Sequence, residues 1–323
     1  MTKTAIVTGV AGFIGSNLAE KLLNEKYKVI GIDCFTDYYS KKIKLKNLKN
    51  LMNNKEFNFI EDDLVSMNFD SIFKEDAVLF HQAGQPGVRA SWGEQFETYV
   101  KDNILVTQRI LESAKKMNNL KKIVMASSSS IYGNQEGVME ENSTLPKTIS
   151  PYGATKLASE NLGYLYYENF GLPITSLRYF TVYGPKQRPD MAFFKFIMAN
   201  LSEQKIVLFG DGSQKRDFTF ISDIVEANIK TLENNVEGEI LNVGGGSVRS
   251  INEVLDIISS ETGKKNKITF KNKEKGDVHK TEADVKEIEK KLNFKPKILL
   301  EEGLPLEIEW LKKIKNEYQN ILK

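Results

Sequence analysis

Three glycines wedged between a short apolar strand and a helix constrain this chain more than any other feature: Gly9, Gly12 and Gly15. Thr4-Ala5-Ile6-Val7-Thr8 reads as the strand, and Leu18, Leu22 and Leu23 then recur at helical spacing. Lys28-Val29-Ile30-Gly31-Ile32-Asp33 follows as a second apolar strand. The three pieces form a βαβ unit, whose crossover is expected to be right-handed. A glycine turn at that place lets backbone N–H groups approach a pyrophosphate, whose charge the helix N-terminus favours.

The spacing, Gly9-x-x-Gly12-x-x-Gly15, departs from the commoner G-x-G-x-x-G, so the glycines alone are weak evidence. The strand before, the helix after and Asp33 closing the second strand strengthen the assignment. An acidic residue there accepts hydrogen bonds from adenosine ribose hydroxyls and repels a 2′-phosphate, which favours NAD over NADP. Asp63, after a third strand, is placed to receive the adenine amine. His81-Gln82-Ala83-Gly84 follows a fourth strand, where small residues let backbone lie beside a cofactor. His81 itself reads as a packed or hydrogen-bonded histidine rather than a catalyst.

The alternation continues along the chain. Strands are expected at 57–60, 77–80, 122–126 and 173–178, and helices at about 95–117 and 151–170. Strands alternating with helices imply an α/β fold with a doubly wound parallel sheet of the Rossmann type. The Lys/Asn-rich stretch 41–55 reads as a solvated helix or loop. Beyond about residue 180 the pattern loosens: Gly184-Pro185 and Gly210-Asp211-Gly212 mark loops. A helix at 221–232, a strand at 240–243, a helix at 251–261 and a charged tail complete it. With no repeat and no low-complexity linker, the expected division is interwoven. Residues 1–178, with a returning segment at about 217–247, form the NAD-binding domain. Residues 179–216 and 248–323 form a smaller substrate-binding α/β lobe.

Charge narrows the partners. A net charge of +2 gives no reason to expect nucleic acid or an anionic membrane surface. Of the 45 lysines and arginines only six are arginine, so each arginine is worth inspecting as a bidentate grip on phosphate or carboxylate. Arg89, Arg178, Arg188 and Arg216 fall in segments expected to line the site; Arg109 and Arg249 read as surface residues. No apolar run approaches the roughly 20 residues that cross a bilayer. The chain enters a strand almost at once, which leaves no room for a signal peptide. Cys34 is the single cysteine, so a reducing, cytoplasmic setting is the expectation, and no metal site is expected.

The chemistry centres on Ser150-Pro151-Tyr152-Gly153-Ala154-Thr155-Lys156. Ser150 suits a helix N-cap and Pro151 the first helical position. Tyr152 and Lys156, four residues apart, then share one helix face. Lowering a phenol's pKa from about 10 towards neutrality takes roughly 4 kcal/mol, which a neighbouring ammonium and a positive nicotinamide ring are suited to supply. Ser127-Ser128-Ser129-Ser130 follows a strand end, where a hydroxyl can share a substrate alcohol's proton with Tyr152.

With these segments in hand, the chain resembles an extended short-chain dehydrogenase/reductase of the nucleotide-sugar epimerase kind. The matching stretches are residues 8–15, Ser127 to Gly133 (SSSSIYG), Tyr152 to Lys156, residues 178–185 (RYFTVYGP), and Gly210-Asp211-Gly212 through Arg216-Asp217-Phe218. The resemblance implies a catalytic trio of Tyr152, Lys156 and Ser128. It implies NAD contacts from Gly9, Gly12, Phe13, Ile14, Gly15, Asp33, Asp63, Leu64, Gln82, Ala83, Gly84, Asn103, Tyr152, Lys156 and Tyr179. For a UDP-sugar substrate it implies Arg89, with Arg216 on the phosphate and Asp277 on the ribose. It also implies a homodimer that pairs the helices near 95–117 and 151–170.

Relatives that dehydrate the sugar place Asp-Glu where this chain has Ser129-Ser130, and relatives that decarboxylate a uronic acid place Glu at Ser130. Neither carboxylate is present, which leaves C4 epimerisation through a 4-keto sugar. Thr181 stands where many relatives have Asn. With Ser129 and Ser130 it adds a third hydroxyl, and Arg188 adds a guanidinium, so together they form a plausible cradle for a C5 carboxylate. The stretch 87–93 (GVRASWG) and the run 180–193 (FTVYGPKQRPDMAF) are most similar to UDP-glucuronate 4-epimerases. The expected reaction is therefore interconversion of UDP-glucuronate and UDP-galacturonate. UDP-glucose or UDP-N-acetylglucosamine epimerisation is the alternative, since Thr281 falls where some relatives carry a tyrosine that restricts N-acetyl sugars. A decarboxylase or a non-enzymatic NAD-binding protein ranks lower.

Overall fold

A computed structural model describes residues 3–322 except 70, 71, 73–75, 118, 119, 273–275 and 277. A seven-stranded sheet runs through its centre in the order β10-β6-β5-β4-β1-β2-β3. These strands are β1 (Thr4–Thr8), β2 (Lys28–Asp33), β3 (Phe57–Glu61), β4 (Ala77–His81), β5 (Leu120–Ser128), β6 (Ile174–Tyr179) and β10 (Ile240–Val243). Every neighbouring pair is parallel. A parallel sheet must be covered on both faces, so its strands read as near-continuous apolar runs. Ala5, Ile6, Val7, Leu79, Phe80, Ile123, Val124 and Leu177 are all fully buried. The chain order reverses between β1 and β4, and the crevice above the carboxyl ends of these strands is where doubly wound sheets bind ligands.

Helices α1 (Phe13–Asn24), α2 (Lys41–Met52), α3 (Phe96–Tyr99), α4 (Val106–Ala114) and α5 (Pro151–Phe170) flank the sheet. α3 and α4 were expected as one continuous helix. They are joined by a π-helical stretch, Val100–Leu105, at whose centre Asn103 is buried. Two hydroxyls crowd the Asn103 carbonyl, Thr107 at 2.6 Å and Ser159 at 2.8 Å. Side-chain insertion into the helical ladder is a recognised cause of such irregularities. α5 starts as its sequence dictates, with the Ser150 hydroxyl accepting from Gly153 N at 3.1 Å and Pro151 in the first turn. It ends at Gly171, whose φ of 67° is left-handed.

The smaller lobe holds β7 (Thr181–Tyr183), β9 (Lys215–Phe220) and β11 (Ser247–Ser250) in one sheet. β8 (Lys205–Phe209) and β12 (Lys267–Lys271) pair in parallel in another. Helices α6 (Ala192–Leu201), α8 (Ile251–Thr262), α9 (Lys286–Leu292) and α10 (Leu300–Leu322) belong to the same half of the chain. α7 (Ile221–Lys230) leads back to β10, so the chain returns to the large sheet. The segment expected to return at residue 217 begins within the small sheet, because β9 pairs with β7 and β11.

The expected charged tail is the 23-residue helix α10. Its stripe of Leu300, Leu304, Ile308 and Leu311 is buried together with Glu307, which accepts from Gly184 N at 2.7 Å, while Glu301, Glu302, Glu309, Lys312 and Lys313 are exposed. The 41–55 stretch likewise forms α2, which buries Ile43, Leu48 and Leu51.

Candidate active site

The glycine turn is built by backbone packing. Gly9 adopts φ 67°, and a Cβ there would meet Ala83 Cα at 2.8 Å. A Cβ on Gly15 would stand 2.3 Å from the Gly9 carbonyl oxygen. Gly12 caps α1 without any side chain to satisfy the first-turn N–H groups, and that turn carries no acidic residue. Its amides therefore form a cradle suited to an anion. Asn47 of α2 donates to the Ala11 carbonyl at 2.9 Å and braces the turn from behind. Asp33 accepts from Ala11 N at 3.0 Å and from Phe35 N at 2.8 Å. Each oxygen keeps a lone pair for a ribose hydroxyl.

One continuous cavity runs from this turn to the end of β5. It is lined by Gly9, Gly12, Phe13, Ile14, Gly15, Asp33, Asp63, Leu64, Gln82, Ala83, Gly84, Tyr152, Lys156, Tyr179 and Arg188. Sequence reasoning missed Lys44, Tyr38, Tyr39 and Thr36, which line the same cavity. Lys44 is buried despite its charge and donates to the Thr36 carbonyl at 2.6 Å. Burial lowers its pKa, opposed chiefly by Asp33. The signal was hidden because a lysine-rich run looks solvated. Only the apolar spacing of Ile43, Leu48 and Leu51 marks a packed helix.

Asn103 is absent from the cavity wall. Its amide donates to Gln85 O at 3.1 Å and Thr155 Oγ1 at 2.9 Å, and its Oδ1 accepts from Gln85 N at 2.7 Å. It shapes the cavity through the 84–86 loop. Asp63 keeps one oxygen on Val65 N and pairs the other with Lys101 at 3.2 Å. Tyr179 donates to Asn228 Oδ1 at 2.9 Å and accepts from Gln82 at 3.1 Å, which fixes both cavity-lining residues.

His81 is buried between Thr8 (2.9 Å) and Thr107 (3.2 Å). Burial and the Lys156 charge hold its pKa down to about 3, so it is a neutral hydrogen-bonding residue, as its sequence context implied.

At the far end, Tyr152 and Lys156 present one face of α5 to the end of β5. The Ser128 hydroxyl lies beside the Tyr152 phenol and favours its charged form. Lys156 Nζ donates to the Ala126 carbonyl at 2.8 Å. Tyr99 meets Tyr152 edge-on, with ring centroids 6.2 Å apart. Burial pushes the Tyr152 phenol above its usual value, with Ser128 and the Arg188 charge pulling it back. In the protein alone, desolvation outweighs the groups that lower the phenol. Lys156 is itself pushed down to about 8 by burial, opposed by Glu160.

The proposed substrate residues are more dispersed. Ser129 and Ser130 form a short 3-10 turn past Ser128 and lie partly exposed. Thr181 opens β7, also partly exposed. Arg188 lines the cavity, but Asp190 holds its fork at 2.9 and 3.0 Å. Arg89 stacks on the Phe209 ring at 4.3 Å and so spans the two lobes. Arg216 donates to the Lys215 and His279 carbonyls at 2.8 and 3.3 Å. Asp277 lies outside the described residues. Among the described residues no cluster of His, Cys, Asp and Glu is arranged to hold a metal ion, and no helix is long and apolar enough to cross a membrane.

Known proteins resemble this chain. A sequence model described as the NAD dependent epimerase/dehydratase family matches residues 5–244. An uncharacterized UDP-glucose epimerase of Bacillus subtilis, YtcB, is 43% identical over 308 residues, covering 95% of this chain and 97% of its own length. A UDP-glucuronate 4-epimerase of Thermodesulfobacterium geofontis is 41% identical over 311 residues, with 95% of each chain covered. The crystal structure of a Bacillus cereus UDP-glucuronic acid 4-epimerase, in complex with UDP-glucuronic acid and NAD, superposes with a TM-score of 0.92. It is 40% identical and covers 96% of this chain and 99% of its own. The glycine cradle, the tyrosine–lysine helix and these likenesses together establish that the chain belongs to the NAD dependent epimerase/dehydratase family.

Proposed function

We propose that this enzyme interconverts UDP-glucuronate and UDP-galacturonate by inverting C4 of the sugar, with NAD bound along the cavity. The observation that carries the reading is the joining of the Gly9–Gly15 cradle to Tyr152 and Lys156 by one cavity that ends at Ala126 and Ser127. The cradle fits a dinucleotide: uncapped amides of α1 meet a pyrophosphate, and Asp33 meets a ribose. Bound there, NAD supplies a hydride acceptor at the sugar's C4 and returns that hydride.

The protein's own residues then handle protons and position. Tyr152 takes the proton of the C4 hydroxyl and gives it back, while Ser128 holds the oxygen through its hydrogen bond. Lys156, anchored on the Ala126 carbonyl, stabilises the phenolate. A positively charged nicotinamide ring held beside Tyr152 would offset the burial that raises the phenol. Inversion needs the keto sugar to turn over between the two transfers. Ser129, Ser130 and Thr181 supply hydroxyls for the sugar's other groups, Arg188 meets the C5 carboxylate, and Arg89, Arg216 and Asp277 receive the nucleotide.

A neutral sugar is the second reading. It is favoured by one observation: Asp190 already neutralises Arg188. The Bacillus subtilis relative carries a UDP-glucose epimerase name. Incubating the protein with NAD and UDP-glucuronate, UDP-glucose or UDP-N-acetylglucosamine, then separating the products, distinguishes the readings. UDP-galacturonate is the expected major product.

Residues 1–178 with the return through α7 and β10 are assigned to cofactor binding, and the rest to the nucleotide sugar. A homodimer through α3–α4 and α5 is supported by the exposed Phe96, Val100, Leu105, Tyr164 and Leu165 on these helices. Sedimentation of wild type against Leu165→Glu tests it. The single free thiol, Cys34, suits a cytoplasmic enzyme.

A further inference from the structure

Behind the tyrosine–lysine face lies a buried ion pair that the proposed chemistry does not use. Glu160 follows Lys156 by one helical turn, as Lys156 follows Tyr152. Its side chain is 1% exposed, and that of its partner, Arg178 on β6, is 4% exposed. The pairing is bidentate, with Arg178 Nε donating to Glu160 Oε2 at 3.0 Å and Nη2 to Oε1 at 2.6 Å. The remaining fork nitrogen of Arg178 donates to the Tyr132 hydroxyl at 2.7 Å, which in turn donates to Asn242 at 2.8 Å.

Removing two charges this far from water costs several kcal/mol per ion, and a packed apolar pair of similar size often serves stability as well. Stability alone is therefore a weak reason for the pair. Its position suggests another. Glu160 Oε2 also accepts from the Ser127 hydroxyl at 2.7 Å. Ser127 sits between Ala126, whose carbonyl anchors Lys156, and Ser128, whose hydroxyl meets Tyr152. One carboxylate thus ties down the middle of the three consecutive residues that orient both catalytic side chains.

We infer that Glu160 is a positioning residue for the epimerisation chemistry: braced by Arg178, it pins Ser127 and thereby the strand end that holds Lys156, and its carboxylate stands one helical turn from the Lys156 amine. The second half of this role follows from the surroundings of the amine. Lys156 faces Tyr152 and Glu160 on its own helix, the Ala126 carbonyl on β5 and His81 on β4, which is neutral. Arg178 on β6 stands behind Glu160. Tyr152 faces Tyr99 of α3, Ser128 and Arg188. Among these groups Glu160 is the anion that opposes the burial of Lys156. Without it the ammonium loses its proton at lower pH, and the phenolate loses its counter-charge.

The inference rests on the Tyr152–Lys156 reading, and the tests keep the two apart. Glu160→Gln retains an acceptor for Ser127 and removes the charge. Glu160→Gln/Arg178→Met removes both charges and leaves no lone buried cation. The alkaline limb of the pH–rate profile should move to lower pH by about one unit in Glu160→Gln and by less in the double variant, with KM for the UDP-sugar unchanged in both. The pH midpoint for competitive acylation of Lys156, read by mass spectrometry, should move with it. Ser127→Ala leaves the ion pair whole and should lower kcat about tenfold without moving either midpoint. Unmoved midpoints in either folded charge variant, or wild-type kcat in Ser127→Ala, overturn the inference, and Ser127→Ala decides alone should both charge variants fail to fold. Were the Tyr152–Lys156 reading itself wrong, Tyr152→Phe would keep wild-type turnover, yet the acylation midpoint of Lys156 would still report on Glu160.

Discussion

Arg188→Ala tests the choice of sugar. In the free protein the Arg188 fork is occupied by Asp190, at 2.9 and 3.0 Å, and Asp190 also accepts from the Tyr38 hydroxyl at 3.3 Å. A uronate carboxylate therefore exchanges with Asp190 for a guanidinium that is already paired. Hydrogen bonds to charged groups contribute about 1.5–3 kcal/mol, and the exchange places the gain at the lower end of that range. Removing Arg188 has a second effect of the same sign. The pair Arg188–Asp190 carries no net charge, whereas Asp190 alone leaves an unpaired carboxylate beside the cavity wall that repels the substrate's carboxylate. The two effects together predict a loss of roughly 10- to 100-fold in kcat/KM for UDP-glucuronate, taking 1.4 kcal/mol as tenfold. UDP-glucose, which has no carboxylate, should lose much less, only what the missing pull of Arg188 on the Tyr152 phenol accounts for. Arg188→Ala/Asp190→Asn cancels the leftover charge and should recover part of the uronate activity. Initial rates on both sugars, with products separated, give the ratio directly. Equal losses on the two sugars would refute the role assigned to Arg188.

Two further substitutions probe the frame around the site. Gly15→Ala places a Cβ 2.3 Å from the Gly9 carbonyl oxygen, where backbone must yield. The strain should cost about 1–3 kcal/mol and weaken NAD binding by a similar margin, read by calorimetric titration; undiminished affinity would contradict the cradle. Asp217 on β9 accepts from Gly245 N at 2.8 Å and Ala283 N at 2.9 Å, and burial pushes its carboxyl up to about 6 from an ordinary 3.8. A raised folded-state value stabilises the fold at low pH, and this contribution is lost as pH rises through about 6. Asp217→Asn keeps the acceptor and abolishes the titration, so between about pH 4 and 6 its unfolding free energy should gain on wild type by something on the order of 2–3 kcal/mol. Parallel pH profiles of unfolding would show that the carboxyl does not titrate as described.

Much of this was legible in the sequence because local rules and the tertiary fold agree. Ser150-Pro151 announces the start of α5, and the apolar strand runs announce a parallel sheet buried on both faces. The glycine trio states its own reason, since each close approach is to backbone. What stayed hidden depends on partners far along the chain. The π-helical stretch between α3 and α4 centres on Asn103, held by Gln85, Thr155 and Ser159, none of them a sequence neighbour. α10 looked like a charged tail because its solvent face outnumbers the stripe of Leu300, Leu304, Ile308 and Leu311. α2 misled in the same way, and with it went Lys44, whose ammonium finds the Thr36 carbonyl only in the folded chain. The direction of the Tyr152 shift was also out of reach. Residue spacing shows that a lysine is near, but burial, which raises the phenol here, is a property of the whole fold.

The claim that Tyr152 moves the proton at the inverting carbon is tested most directly by Tyr152→Phe, assayed with NAD and UDP-glucuronate by chromatography of the nucleotide sugars. The ring keeps its edge contact with Tyr99 and the cofactor end of the cavity is untouched, so NAD should bind as in wild type while UDP-galacturonate formation falls by at least about 100-fold. A phenylalanine variant that forms UDP-galacturonate at the wild-type rate would contradict the account.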